Sequence, residues 1–188
     1  MKITRGIIVI ALASLVVGCS AHTGLTATSG PGSQTPVYHG SVSLVKSYRS
    51  VAELETDADL LVDGVAGASR VEILYEVPFT ITELHVTASS DASFVGRTIS
   101  IRQTGSTDWL IEGVTDLLQP TERYVLFVSS YITNGGARSS AQYVITGEQG
   151  GWIVTQRGIL PIFDGTAALS SPMTTQQVDR LMADMQNR

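Results

Sequence analysis

The sequence predicts a mainly β fold, a small barrel of about six or seven strands with a short helix on its N-terminal side and another at its C-terminal end. Three observations carry this. Short runs rich in Val, Ile, Tyr and Phe recur between glycine-marked breaks from Gly40 onward. Gly64 inside LLVDGV and a phase slip near Thr82-Glu83 signal bends and bulges, which favour coiled strands over flat ones. A sustained helical period occurs only near the end, where Val178, Leu181, Met182 and Met185 form one stripe.

The elements follow in order. Residues 40–47 (GSVSLVKS) mix Val42, Leu44 and Val45 with small polar groups and read as a first strand. Ser50 and Glu53 have the spacing of a capping box, so a helix is expected from 51 to about 56. A strand is expected at 60–65, resuming at Val71, Ile73 and Tyr75. Phe79 and Ile81 alternate with threonines, and Leu84 and Val86 continue in the opposite phase. Ile99 and Ile101 alternate with Ser100 and Arg102, as in a strand with one wet face. The run RYVLFVS at 123–129 is apolar on both faces and is expected to be central. The runs at 143–145 and 152–154 read as two paired strands across a Gly-rich turn, and Arg157-Gly158 as a further turn before 159–162. Thr174 and Gln177 repeat the capping-box spacing, and the stripe after them is expected to pack on the barrel or cover an open end, the alternative being a partner-binding helix with a Met-rich face.

The N-terminal segment points to location. MKITR carries Lys2 and Arg5 and no acid, and GIIVIALASLVVG is uncharged and too short for a comfortable membrane span. Val16-Val17-Gly18-Cys19 resembles the lipobox of bacterial lipoproteins. The resemblance implies cleavage between Gly18 and Cys19, lipidation of Cys19, and a home on the extracytoplasmic face of a cell membrane. Two or three acyl chains hold a protein stably on a bilayer where one does not. Residues 1–18 are then a signal peptide, residues 19–37 a Ser/Thr/Gly/Pro-rich tether, and residues 38–188 a single domain. Cys19 is the only cysteine, so the domain has no disulfide of its own.

The succession ADLLVDGVAG, FTITELHV, GRTISIRQTG, PTERYVLFV and YVITGEQGGWIV resembles exported modules with an OB-like barrel, among them the netrin and metalloprotease-inhibitor modules. That implies an OB-like barrel and a binding role. The inhibitors' zinc-chelating N-terminal cysteine does not carry over, because Cys19 is the lipidation residue and has no partner cysteine.

Composition excludes some functions. Signal cleavage takes Lys2 and Arg5 from the 12 bases, against 17 acids, so the mature chain is more acidic than the −5 of the whole. No basic cluster occurs, and a nucleic-acid role is not expected. His22, His39 and His85 are scattered, with no HExxH, GxSxG or P-loop pattern, and no cofactor is expected. The acids Glu53, Glu55, Asp57, Asp59 and Asp63 are dense enough for calcium but lack the EF-hand order, and favour helix-dipole and edge-strand roles. Gly147-Glu148-Gln149 lacks the cysteine of a thioester motif and reads as a turn. The expectation is a non-enzymatic, lipid-anchored envelope module that binds a protein partner near Trp109, Tyr131 and Trp152, or through the loops at 104–115 and 131–140. The alternative is a carrier of a small apolar or glycan ligand in the barrel mouth, and the third reading is a hydrolase with a scattered triad around His85.

Overall fold

The computed structural model describes residues 46–109, 116–133, 135–163 and 169–188. The element order is α1 (Val51–Asp57), β1 (Leu60–Leu74), β2 (Val77–Ser89), β3 (Thr98–Thr104), β4 (Arg123–Ile132), β5 (Arg138–Ile145), β6 (Gly151–Thr155), β7 (Gly158–Pro161) and α2 (Thr175–Gln186). The seven strands form one sheet in the order β1-β2-β3-β5-β4-β6-β7. β1 also pairs with β4, which closes five strands into a barrel-like ring. Every pairing is antiparallel except β3 with β5. The expected mainly β class with two helices is the fold observed, and its five-strand ring is barrel-like. The signal segment, Cys19 and the tether lie outside the described residues, as does all but the end of the strand expected at 40–47.

β4 explains the layering. Its inward side chains, Tyr124, Leu126 and Val128, join Leu60, Val62, Leu84, Val86, Ile99, Ile101, Tyr143 and Ile145 in the ring's core. Its outward side chains, Val125 and Phe127, join Leu61, Trp152, Tyr48, Leu54, Val178 and Met182 in a second core outside the ring. Both faces are apolar because both are covered, which is the pattern of a central strand. Each large apolar side chain so buried contributes about 1.5–3 kcal/mol. Phe127 and Trp152 meet edge to face with centroids 6.0 Å apart.

The helices form the lid of the outer core. In α2 the capping box is complete: the Thr174 hydroxyl accepts from Gln177 N–H, and the Gln177 side chain accepts from Thr174 N–H. Val178 and Met182 are buried, with Leu181 and Met185 beside them. In α1 only half the box forms. The Ser50 hydroxyl accepts from Glu53 N–H, but the Glu53 carboxylate accepts from Arg49 N–H, one residue earlier than the motif requires.

Four strand expectations need correction. The bulge expected on β2 near Thr82-Glu83 lies on β1, where the register steps between Ala66 and Ser69; a second step, with Thr87 of β2 as the extra residue, falls at Asp63/Gly64, where an irregularity is expected. β1 is therefore one continuous 15-residue strand, not two. β5 and β6 do not pair with each other. The 3-10 turn Thr146–Glu148 keeps the chain running the same way, so both strands pair with β4 in succession. Gly147 takes φ +61° there, and a Cβ would meet the Tyr48 ring at 2.2 Å, so only glycine fits. Arg102 faces away from the ring core but is not wet, as described below.

Gly64 is built into the ring wall: a Cβ there would lie 2.6 Å from the His85 carbonyl oxygen, whereas one at Gly67 would find 3.6 Å to its nearest neighbour. Gly64→Ala is expected to cost about 1–3 kcal/mol and Gly67→Ala under about 0.5 kcal/mol, measured by urea denaturation of the two variants side by side. Equal effects would contradict the close approach of β1 and β2 at Gly64.

Candidate interaction surface

The ring is closed at both ends. Phe94, from the 3-10 turn Ala92–Phe94, packs edge-on against Tyr143 with centroids 6.0 Å apart. At the other end Gln103 is buried and acts as a latch, donating to the Asp116 carbonyl and accepting from Leu118 N–H, both at 2.9 Å. Leu118 thereby enters the ring's core. Beside this latch runs a groove of about 440 Å³, lined mainly by Leu117, Tyr124, Ile153, Pro161 and Ile162, with Asp116 and Gln119 at its polar side.

The β1–β2 hairpin runs past the same end. β1 pairs with β4 only from Leu60 to Val65, then continues to Leu74 beside β2 alone. A two-residue turn, Tyr75-Glu76, joins the strands with φ of +51° and +66°, the handedness a tight hairpin needs. Val71 and Ile73 are 54% and 74% exposed, and Tyr75 at the turn is 78% exposed. Val71 and Ile73 prolong the ring's inward face beyond the ring and stay exposed among the described residues. Val71 and Ile73 thus form a short exposed apolar strip on one face of the hairpin.

The opposite face of the hairpin is pinned by Arg102, which is 6% exposed. Its guanidinium lies between the Phe79 and Tyr131 rings, 4.5 and 4.7 Å from their centroids. Nη1 donates to Glu72 at 3.2 Å and to Gln142 at 3.5 Å. Glu72 also accepts from Arg70 at 3.2 Å. One side chain on β3 thus ties together β1, β2, β4 and β5. Cation–π contacts of this desolvated kind contribute about 2 kcal/mol or more.

The expected surface aromatics sit in separate settings. Tyr131 is half-buried on Arg102. Trp109 is partly buried in a bridge with Ser106, where the two residues exchange backbone hydrogen bonds at 3.1 Å. Trp152 is 0% exposed and is no part of a free surface, a correction whose cause is β-strand alternation. It lies opposite Val125 on the outward face, beneath the helices, with its indole N–H on the Ser171 carbonyl at 3.4 Å. The loop expected at 131–140 is shorter, since β4 runs to Ile132 and β5 starts at Arg138; that expected at 104–115 falls partly outside the described residues.

The acid run disperses into separate partnerships. Glu55 pairs with Arg188 at 2.7 Å, Asp59 with Arg138 at 2.9 Å, and Asp63 grips Arg123 through two bonds of 2.7 and 2.6 Å. Asp57 pairs with Lys46 and accepts from the Tyr48 hydroxyl. No group of metal-ligating side chains converges among the described residues. Burial raises the Asp59 pKa, but the Ser130 N–H and Arg138 outweigh it and hold the carboxyl below its ordinary range. Lys46 and then Tyr48 lower Asp57 in the same way. His85 is exposed, and among the described residues it makes no hydrogen bond to a serine or an acid. No known protein family, curated protein or solved structure matches this chain.

Two predictions follow from these contacts. Arg102→Met keeps an unbranched chain between the rings and is expected to be milder than Arg102→Ala, which opens a gap; a Tm difference of several degrees is expected from about 1 kcal/mol. Equal Tm values would mean the rings do not clasp the side chain. The second concerns alkali. Burial, then the Asp57 hydrogen bond and charge, push the Tyr48 phenol from 10.0 up to about 12. The folded state holds that proton more tightly, so this stability is complete below pH 10 and lost as pH rises from 10 to about 12. Tyr48→Phe should flatten the loss over that window in a pH series of denaturation curves; an unchanged alkaline limb would contradict the assignment.

Proposed function

We propose that this protein is a lipid-anchored, extracytoplasmic module of the bacterial envelope that binds a protein partner and performs no catalysis. The anchor is Cys19, at the end of a lipobox-like signal. The observation that carries the binding role is the apolar strip of Val71 and Ile73 on the prolonged hairpin. Two side chains of this kind are left in water on an Arg102-pinned support, beside a ring that shows, among the described residues, no polar constellation resembling a reaction centre. Rigid presentation lowers the entropy lost on docking. The tether of residues 19–37 keeps the domain near the membrane, where an envelope partner meets it.

The groove near Tyr124 and Ile162 supports the carrier reading as the second choice. Its volume of about 440 Å³ lies within the range of small-molecule sites, and its lining is mainly apolar with a few polar groups at one side.

The two readings separate in one experiment. A photoreactive residue placed at Ile73 in intact native cells is expected to capture one dominant protein, with none from a probe at exposed Val95, and the yield should fall in Cys19→Ala. Equal capture from both positions would refute the hairpin as the contact. An apolar ligand released from the purified protein and lost in Ile162→Trp would instead favour the carrier.

A further inference from the structure

Beyond Ala66, β1 keeps β2 on one side and has no β4 on the other. The register determines which backbone groups this leaves open. Gly105 N–H donates to the Pro78 carbonyl at 2.8 Å, so Pro78 turns its backbone towards β3 and away from β1. Its partner Ile73 therefore turns its own N–H and C=O away from β2. Alternation places Val71 and Ser69 the same way. Before the bulge, Ala66 confirms the direction: its N–H and C=O point to the β4 side, where Glu122 and Thr121 satisfy them. Among the described residues, nothing satisfies the outward groups of Ser69, Val71 and Ile73.

An open edge of this kind is a template for another strand, and proteins usually blunt it with charge. Here the charges are Arg70 and Glu72, one on either side of Val71, both pointing to the outer face. We propose that a second copy of this chain pairs antiparallel along this edge, with Val71 of one copy opposite Val71 of the other. In that register each Arg70 falls opposite a Glu72. The pair is of the non-hydrogen-bonded kind, which brings side chains closest. Ile73 falls opposite Ser69 on the other face, and the two Val71 side chains meet between them.

Charge also selects the register. The allowed neighbouring registers differ by two residues in the pairing. One sets Arg70 opposite Arg70, the other Glu72 opposite Glu72, and like charges directly opposed are unfavourable. The central register alone joins opposite charges twice. The sequence RVE is thus complementary to itself about Val71. The paired edge is short, so the contact is weak in dilute solution; confinement to one membrane surface raises the effective concentration. Pairing also merges the two apolar strips into one larger surface. The inference concerns the edge and a second copy, and stands apart from the identity of any other partner.

The test uses the full-length chain carrying Cys19→Ala, so that an introduced cysteine is the only thiol. Val71→Cys should form a disulfide dimer under mild oxidation, since residues opposed in such a pair lie within bridging distance. Val95→Cys serves as the exposed control. In the Val71→Cys background, Arg70→Glu makes both flanking positions acidic and Glu72→Arg makes both basic. Each alone should dimerise about tenfold less than the parent, and a mixture of the two should recover the yield through the mixed pair. Dimer no greater than the Val95→Cys control would overturn the proposal. So would charge variants that crosslink equally alone and mixed, which would place the contact elsewhere. The readout is self-association of purified protein, so its failure is distinct from failure to capture a partner in cells.

Discussion

A strand that is apolar on both faces has to be covered on both, and β4 sets that requirement for this molecule. With Tyr124, Leu126 and Val128 on one side and Val125 and Phe127 on the other, it needs a core on each. The ring supplies the first by curling β1, β2, β3 and β5 around the inward face. The helices supply the second by lying over the outward one, and β6 and β7 extend the sheet beside β4 and add Trp152 and Ile159 to that core. β4 is flanked by β1 on one edge and by β5 then β6 on the other, so its backbone is satisfied along most of its length.

The same constraint accounts for what is left open. β4 begins at Arg123, opposite Val65, and cannot accompany β1 any further. The remaining residues of β1 keep β2 on one side only, and their inward face has run out of ring to face. Among the described residues, exposed apolar groups and unpaired backbone occur together there for a single geometric reason. Arg102 makes the overhang rigid instead of frayed, because its buried guanidinium bridges the hairpin to β4 and β5 through Phe79, Tyr131, Glu72 and Gln142. A rigid overhang with an open edge has the properties of a contact element, and the ring beneath it those of a support.

Much of this was legible in the sequence, where the signal was local. The both-faced apolar run at 123–129 marked the central strand, the Thr174/Gln177 spacing marked the α2 cap, and the stripe after it marked the buried face. The site was less legible because its defining features are non-local. Arg102 sits in an alternating strand and reads as solvated; it is buried by Phe79 and Tyr131, rings on two other strands, which no local period reveals. Val71 and Ile73 read as ordinary strand positions, and their exposure depends on where β4 starts, at Arg123 far along the chain. Trp152 carried a misleading signal, since a tryptophan in a Gly-rich region fits both a surface anchor and a core side chain. The pairing of β5 and β6 was misjudged because the turn at Thr146–Glu148 has hairpin-like glycines yet does not reverse the chain.

The overhang of β1 beyond the start of β4, which leaves both the apolar strip and the edge open, is the central claim, and residue-resolved amide hydrogen exchange of the full-length chain tests it most directly. In dilute protein, Ser69, Val71 and Ile73 should exchange fast, while Arg70, Glu72 and Leu74, which bond to β2, stay protected. Raising the concentration should slow Val71 selectively. Equal protection at all six positions at every concentration would mean that the edge is already covered within a single chain, and would contradict the account.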